Sequence, residues 1–410
     1  MPLKNRIFAG MITDLNTLML DFIRAHENED PLKLLLQSHR YTDIDMVLAT
    51  RQIAARQRLK TKIPTFHDEV RLLYTNQLSL EQASSEVTAK HKATLVGGHR
   101  FIDLTGGLGV DFFFMAQQFN DSIYVERQEE LCQLAAYNFN ILGLKGFTVE
   151  HDDALNFINR MPQADVVYID PHRRNLSGKK TILIADCEPD LTQIQEVILS
   201  NCRQLLVKLS PMLDLHKALR DLPGTIQVDI VAVENECKEI LFMIQSGMPL
   251  SDTTPSIRCF NYLKNGAVQE FRTNDVSDTH SVKYASTTET YFYEPNSAIM
   301  KSGNFNSLAE RFQLLKMHPN THLYTSATLH ENFPGRIFIV DHCIDFSKQM
   351  VRELTTTFSS ANISVRNFPM SADELRKRSR LKDGGDVYMF AFRAKNDKLK
   401  VAICKKVKLL

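Results

Sequence analysis

Between residues 99 and 247, short apolar runs alternate with amphipathic stretches, and this rhythm limits the fold more than any other feature of the chain. The runs lie at 101–104, 123–125, 147–149, 166–169, 205–209, 226–231 and 240–244, with helical segments such as 129–142 and 191–200 between them. Strand and helix in alternation predict an α/β sheet of parallel strands, joined by right-handed crossovers and covered on both faces. Around it the pattern changes. Residues 1–98 predict an N-terminal helical region, with Pro31 and Pro64 as breaks and a helix start capped by Ser79 and Gln82. Residues 248–330 are rich in Ser, Thr, Asp and Gly and hold a hairpin signal at Lys264-Asn265-Gly266, so they predict a β-rich linking domain. Strand signals at 337–340, 363–366 and 387–392 predict small α+β units, the last spanning 331–410.

Composition narrows the function classes. Lys and Arg number 49 against 48 Asp and Glu, a net +1 that excludes a globally basic nucleic-acid sleeve. Any nucleic-acid contact must come from a local patch. The seven cysteines (132, 187, 202, 237, 259, 343 and 404) include no CxxC pair, so no metal site is expected and a reducing cytoplasm fits. Residues 1–20 carry Lys4, Arg6 and Asp14 and do not read as a signal peptide. No run approaches the ~20 apolar residues of a membrane span.

The most informative stretch is Asp103-Leu104-Thr105-Gly106-Gly107-Leu108-Gly109-Val110-Asp111, where an apolar strand ends in an acid and a glycine-rich turn opens a helix. Such a loop lets backbone and a helix N-terminus approach a ligand. A P-loop needs Gly-Lys-Ser/Thr, and Val110-Asp111 stand there instead. The dinucleotide fingerprint needs a third glycine, and Phe112 takes its place. S-adenosylmethionine (SAM) remains, with no pyrophosphate to cradle. Glu126, with Arg127 beside it, ends the second run and suits a ribose diol. After the third run come Asp152, Asp153 and Ala154; Asp153 is the first choice to meet an adenine amino group and Asp152 the second. Taken singly, each acid also reads as a helix cap or a solvated strand end; their order favours the ligand. The fourth run leads into Asp170-Pro171-His172-Arg173-Arg174-Asn175.

In these residues the chain resembles the class I SAM-dependent methyltransferases, with Thr105 where the family commonly has its first loop glycine. The resemblance implies a Rossmann-like sheet over roughly residues 80–245, with SAM held by Asp103, Thr105, Gly106, Gly107, Gly109, Glu126, Arg127, Asp152, Asp153 and Ala154. Amino-group methyltransferases often carry Asp-Pro-Pro and an aromatic where Asp170 and Pro171 stand, gripping the target amine. Here His172 and Arg173 replace the second proline and the aromatic. Arg173 can stack on a base or bind phosphate, and His172 can take the departing proton; the competing reading is a salt bridge and a supporting hydrogen bond. Cys187 has no Pro-Cys context, which disfavours a cysteine-dependent route and favours nitrogen methylation.

Three further segments narrow the likeness: Glu81-Gln82-Ala83-Ser84-Ser85, Lys208-Leu209-Ser210-Pro211-Met212 and Tyr293-Glu294-Pro295-Asn296-Ser297-Ala298-Ile299. With them the chain resembles a bacterial family of methyltransferase proteins with a C-terminal THUMP-like domain, including a Bacteroidales branch with a small ferredoxin-like domain. Its core is also similar to the cap-guanine N2 methyltransferases. THUMP domains imply an RNA partner. Residues 362–410 hold 13 Lys and Arg against 5 Asp and Glu, and the run Arg376, Lys377, Arg378, Arg380 and Lys382 follows a capped helix start at Ser371. These are the expected phosphate contacts, against the plainer reading of a solvated helix face. Phe368, Tyr388 and Phe390 could stack bases, though strand alternation favours core packing for at least two of them. The expectation is SAM-dependent methylation of an RNA base nitrogen. The alternatives are a protein or small-molecule methyltransferase and a non-catalytic RNA-binding module.

Overall fold

β-Branched and aromatic residues fill the short runs, and in the computed structural model each run becomes a strand. The structure describes residues 16–74, 77–173, 183–248 and 254–408. In chain order come β1 (Arg100–Asp103), β2 (Asp121–Glu126), β3 (Phe147–His151), β4 (Ala164–Ile169), the short β5 (His172–Arg173) and β6 (Cys187–Glu188), then β7 (Cys202–Leu209), β8 (Thr225–Val233) and β9 (Glu236–Gln245). Next are β10 (Ser256–Tyr262) and β11 (Val268–Thr273). A nine-stranded sheet takes the order β11-β10-β8-β9-β7-β4-β1-β2-β3. Strands β3, β2, β1, β4 and β7 pair in parallel. This is the expected Rossmann-like class I sheet. The chain walks outward from β1 to β3 and then returns to β4 on the other side of β1. That reversal opens a crevice at the carboxyl ends of β1 and β4, where ligands of open α/β sheets bind. The hairpin β10–β11 turns at Gly266, with φ +84°, and β10 pairs in parallel with β8, so residues 256–273 extend this sheet.

Two compact units divide the chain, Met1–Thr225 with Phe242–Ser251 and Ile226–Leu241 with Asp252–Leu410. In the first, aromatic side chains lock the helix Val110–Ala116 onto the strands: Phe112 packs against Phe101, Tyr124 and Phe139 at ring separations of 5.7, 5.4 and 5.1 Å. Burying each such ring is worth roughly 1.5–3 kcal/mol. The N-terminal helices start as their capping residues dictate. Asn16, Asp30, Asp45 and Ser85 each accept a backbone N–H, while Pro31 and Pro64 open helices with the φ they already hold. Ser79 is not at a cap; it lies third in the helix Gln77–Gln82, and the capped start falls at Ser85. These helices brace the sheet's own. Asn138 exchanges two hydrogen bonds with the backbone of Leu73, and Phe66 meets Phe113 edge-on.

The second unit also contains a seven-stranded sheet. Its strands are β12 (Tyr291–Pro295), β13 (Leu315–His318), β14 (Thr321–Ser326), β15 (Gly335–Asp345), β16 (Asn362–Arg366), β17 (Val387–Arg393) and β18 (Leu399–Lys406), ordered β13-β14-β12-β15-β18-β17-β16. Period-two alternation sorts its residues. Met389, Ala391, Val401 and Ile403 pack with Leu354 and Leu375 of the helices Lys348–Thr357 and Ala372–Ser379, while Phe390, Phe392, Ala402 and Cys404 pack with Phe292 and Phe338. Phe390 is thus core, Tyr388 packs on Phe338, and Phe368 packs on Phe346. Phe390 is therefore closed to a base, whereas Phe368 and Tyr388 are partly exposed.

Candidate active site

The site is built at the carboxyl ends of β1, β2, β4 and β7. The loop after β1 is held down by backbone bonds, Leu104 N donating to Tyr168 O and Gly106 N to Val125 O. A Cβ on Gly106 would stand 2.1 Å from the Tyr124 ring, so only glycine fits. Gly109, at φ +80°, meets Phe139 in the same way. Gly107 differs: its φ is +56°, yet a Cβ there would touch only Thr105 O, at 3.8 Å, so open space lies beside it. Glu126 ties this loop to the end of β2, its carboxylate accepting from Gly107 N at 3.0 Å and Gln128 N at 2.8 Å.

Asp103 is 1% exposed. Its Oδ1 accepts from Thr105 N at 2.9 Å, while Oδ2 is buried without a partner. Burial pushes its carboxyl well above the usual range, and the nearby Asp111, Asp170 and Glu126 add to the effect. A buried acid with an idle oxygen suits a cationic ligand group. Thr105 has its own reason for replacing glycine. Its hydroxyl oxygen accepts from Asp170 N at 2.7 Å, joining the first loop to the loop after β4.

Two lysines absent from the expected site complete it. Lys208, near the end of β7, pairs with Asp170 Oδ2. Lys92, in the helix Glu86–Ala93, is fully buried with Nζ 3.2 Å from Asp111 Oδ1, close in charge though outside hydrogen-bond geometry. Ser84 and Tyr168 both donate to Asp111 Oδ2 at 2.8 Å. Burial works to raise the Asp111 carboxyl, but Lys92 and Lys208, together with the hydrogen bonds from Ser84 and Tyr168, hold it below the usual range. The segments around Ser84 and Lys208, noted above only as likenesses, therefore converge on the strand ends that carry Asp103 and Asp170.

Other expected residues are engaged elsewhere. Asp153 caps the helix Ala154–Phe157 by accepting from Leu155 N, and Ala154 is buried in its first turn. Asp152 is bound by Arg160 at 2.8 Å, which holds its carboxyl below the usual range. Arg127 turns from Glu126 toward the antiparallel β5–β6 pair, donating to Glu188 at 2.9 Å and to His172 Nε2 at 3.2 Å. The Nε2 lone pair of His172 therefore faces a guanidinium. Pro171 is buried and His172 is exposed; Arg174, Asn175 and the Arg173 side chain lie outside the described residues. In the second unit, Ser371 and Glu374 form the expected capping box. Arg376 is tied to Asp373 and Asp383, whereas Lys377, Arg378, Arg380 and Lys382 are exposed. Among the described residues, no group of His, Cys, Asp and Glu could hold a metal ion, and no helix is long and apolar enough to cross a membrane.

Comparison with known proteins bears on both units. Family profiles match residues 291–334 as a ferredoxin-like domain and residues 335–406 as THUMP domain-like. A crystal structure from Porphyromonas gingivalis W83, described as a methyltransferase, is similar at 32% identity and a TM-score of 0.86, over 95% of this chain and 98% of that one. An rRNA methylase from Streptococcus thermophilus overlaps 40% of this chain and 98% of its own at 14% identity and a TM-score of 0.30. A protein from Streptococcus mutans described as a methyltransferase, in complex with SAH, overlaps 42% of this chain and 99% of its own at 17% identity and a TM-score of 0.28. No curated protein matches the chain.

Proposed function

Because the chain belongs to the bacterial family of methyltransferase proteins with ferredoxin-like and THUMP-like domains at the C-terminus, we propose that it transfers a methyl group from SAM to a base nitrogen of RNA. The observation that carries this reading is the meeting of Asp103, Glu126 and Asp170 at the ends of three neighbouring strands, with Glu126 bound to Gly107 N and Asp170 N bound to Thr105 of the same loop. In this reading the idle Asp103 Oδ2 takes a cationic group of the cofactor, and Glu126, whose carboxylate also accepts from Gly107 N and Gln128 N, takes the ribose diol. Bound SAM supplies a methyl on a sulfonium, a leaving group that needs positioning more than activation.

Asp170 does the positioning. One carboxylate oxygen is fixed by Lys208, and the other accepts from the target amine together with the carbonyl of Pro171. The nitrogen lone pair then points at the methyl; the N–C bond forms as the S–C bond breaks, and the amine loses a proton. His172 is its acceptor in this scheme, once the bond from Arg127 to Nε2 opens. Arg173 binds the substrate base or a phosphate. Arg127, Asp152, Asp153 and Ala154 border the adenosine end. The exposed Lys377, Arg378, Arg380 and Lys382 of the THUMP-like domain supply phosphate contacts.

Calorimetric titration of the native protein with SAM and S-adenosylhomocysteine tests the first step: saturable heat is expected, and none at millimolar ligand rejects the reading. Asp170→Ala is expected to keep SAM affinity and lose about 100-fold or more in turnover on cellular RNA. Unchanged turnover removes Asp170 from the mechanism.

A further inference from the structure

Resting on the function just proposed, we propose that Lys208 decides which aminated base the site accepts: adenine or cytosine, with guanine refused. The reason lies in how the Asp170 carboxylate is divided. Oδ2 is held by the Lys208 ammonium, and Oδ1 has no hydrogen-bond partner among the described residues. The lysine side chain is only 15% exposed, so its charge is poorly screened. That charge also helps to hold the buried Asp111 carboxyl below its usual range. An incoming base therefore meets one acceptor oxygen with a positive charge beside it.

An exocyclic amine that donates to Oδ1 brings its neighbouring ring atom toward that charge. In adenine the neighbour is N1 or N7, and in cytosine it is N3; each presents a lone pair, and the contact is attractive. In guanine the Watson–Crick neighbour is N1–H, a donor turned toward a cation, and the other neighbour, N3, lies beside the ribose. A carboxylate with both oxygens open would take guanine N1–H and N2–H together. Lys208 occupies the second oxygen and removes that option. Uracil has no amine to offer. A site whose polar groups match one edge and mismatch another discriminates strongly, because the wrong base leaves buried groups unpaired.

The test uses the full-length protein, isotopically labelled SAM and total RNA from cells lacking the gene, with digestion to nucleosides and mass spectrometry. The wild type is expected to label adenosine or cytidine at least about 100-fold over guanosine. Lys208→Met and Lys208→Gln should bind SAM as the wild type does while this preference falls about ten-fold or more; Lys208→Arg, which keeps the charge, should retain it. Guanosine labelled by the wild type overturns the inference without using a variant and leaves methyl transfer to RNA standing. So does an unchanged preference, or a uniform loss over all nucleosides, in Met and Gln variants that still bind SAM. No label in any nucleoside overturns the proposed function, and this inference with it.

Discussion

Asp103 sets stability against binding. Its pKa is raised in the folded protein, so the folded state binds this proton more tightly than the unfolded state does. Between the ordinary carboxylate range and the raised value, the unfolded chain loses the proton first, and stability falls as pH rises. Asp103→Asn removes that cost. It is expected to stabilise the ligand-free protein by about 1–3 kcal/mol at neutral pH and to show little advantage near pH 4. Denaturant melts of both proteins across this range measure the difference, and an advantage that shrinks as pH rises rejects the assignment. The same variant should weaken SAM binding, since the idle carboxylate oxygen is lost. The strand-end positions of Asp103, Glu126 and Asp170 were readable in the sequence because each closes an apolar run. The lysines were not. Lys92 lies in a polar helix with no apolar stripe to mark a buried face and Lys208 inside an apolar run, and their partners Asp111 and Asp170 stand 19 and 38 residues away, where only the fold brings them close.

The glycine loop separates two demands that the sequence shows as one motif. Gly106 is required by packing, since any Cβ collides with the Tyr124 ring, while Gly107 is required by its φ of +56° and has room beside it. Gly106→Ala is therefore expected to destabilise the fold by about 2 kcal/mol or more. Gly107→Ala should cost about 1 kcal/mol, yet lose at least ten-fold in SAM affinity because the new methyl stands in the open space. Melts and titrations on the two variants read both quantities, and equal losses of affinity at equal cost in stability would contradict the division. Other elements were legible to the same depth. Every apolar run between 99 and 247 became a strand because each is too short for a helix and is followed by turn residues or a helical stretch. The partners of β10 and β11 were not legible, because hairpin chemistry at Lys264-Asn265-Gly266 fixes the turn and not the neighbouring strand. Nor was the start of the Gln77–Gln82 helix: Ser79 followed by Gln82 looks like a cap, but helical residues already precede it.

Charge is the property that belongs to the whole molecule. A net charge of +1 gives little long-range pull on a polyanion, so the proposed RNA affinity requires a concentrated patch. The sequence alone treats the five basic residues from 376 to 382 alike. The structure divides them, because Arg376 is held by Asp373 and Asp383 while Lys377, Arg378, Arg380 and Lys382 are exposed with their charge toward solvent. Each phosphate neutralised releases counterions and adds about 0.7 to the salt slope for single-stranded RNA. Replacing Arg378, Arg380 and Lys382 together with Ala is expected to lower the slope of log K against log salt by roughly 2, alike for RNAs of different sequence. Arg376→Ala should change it by much less, since Asp373 and Asp383 already neutralise that guanidinium. Filter binding of bulk RNA over a salt series gives both slopes. A triple variant with the wild-type slope would place the phosphate contacts elsewhere, and a loss confined to one RNA sequence would make these residues readers of bases instead of backbone.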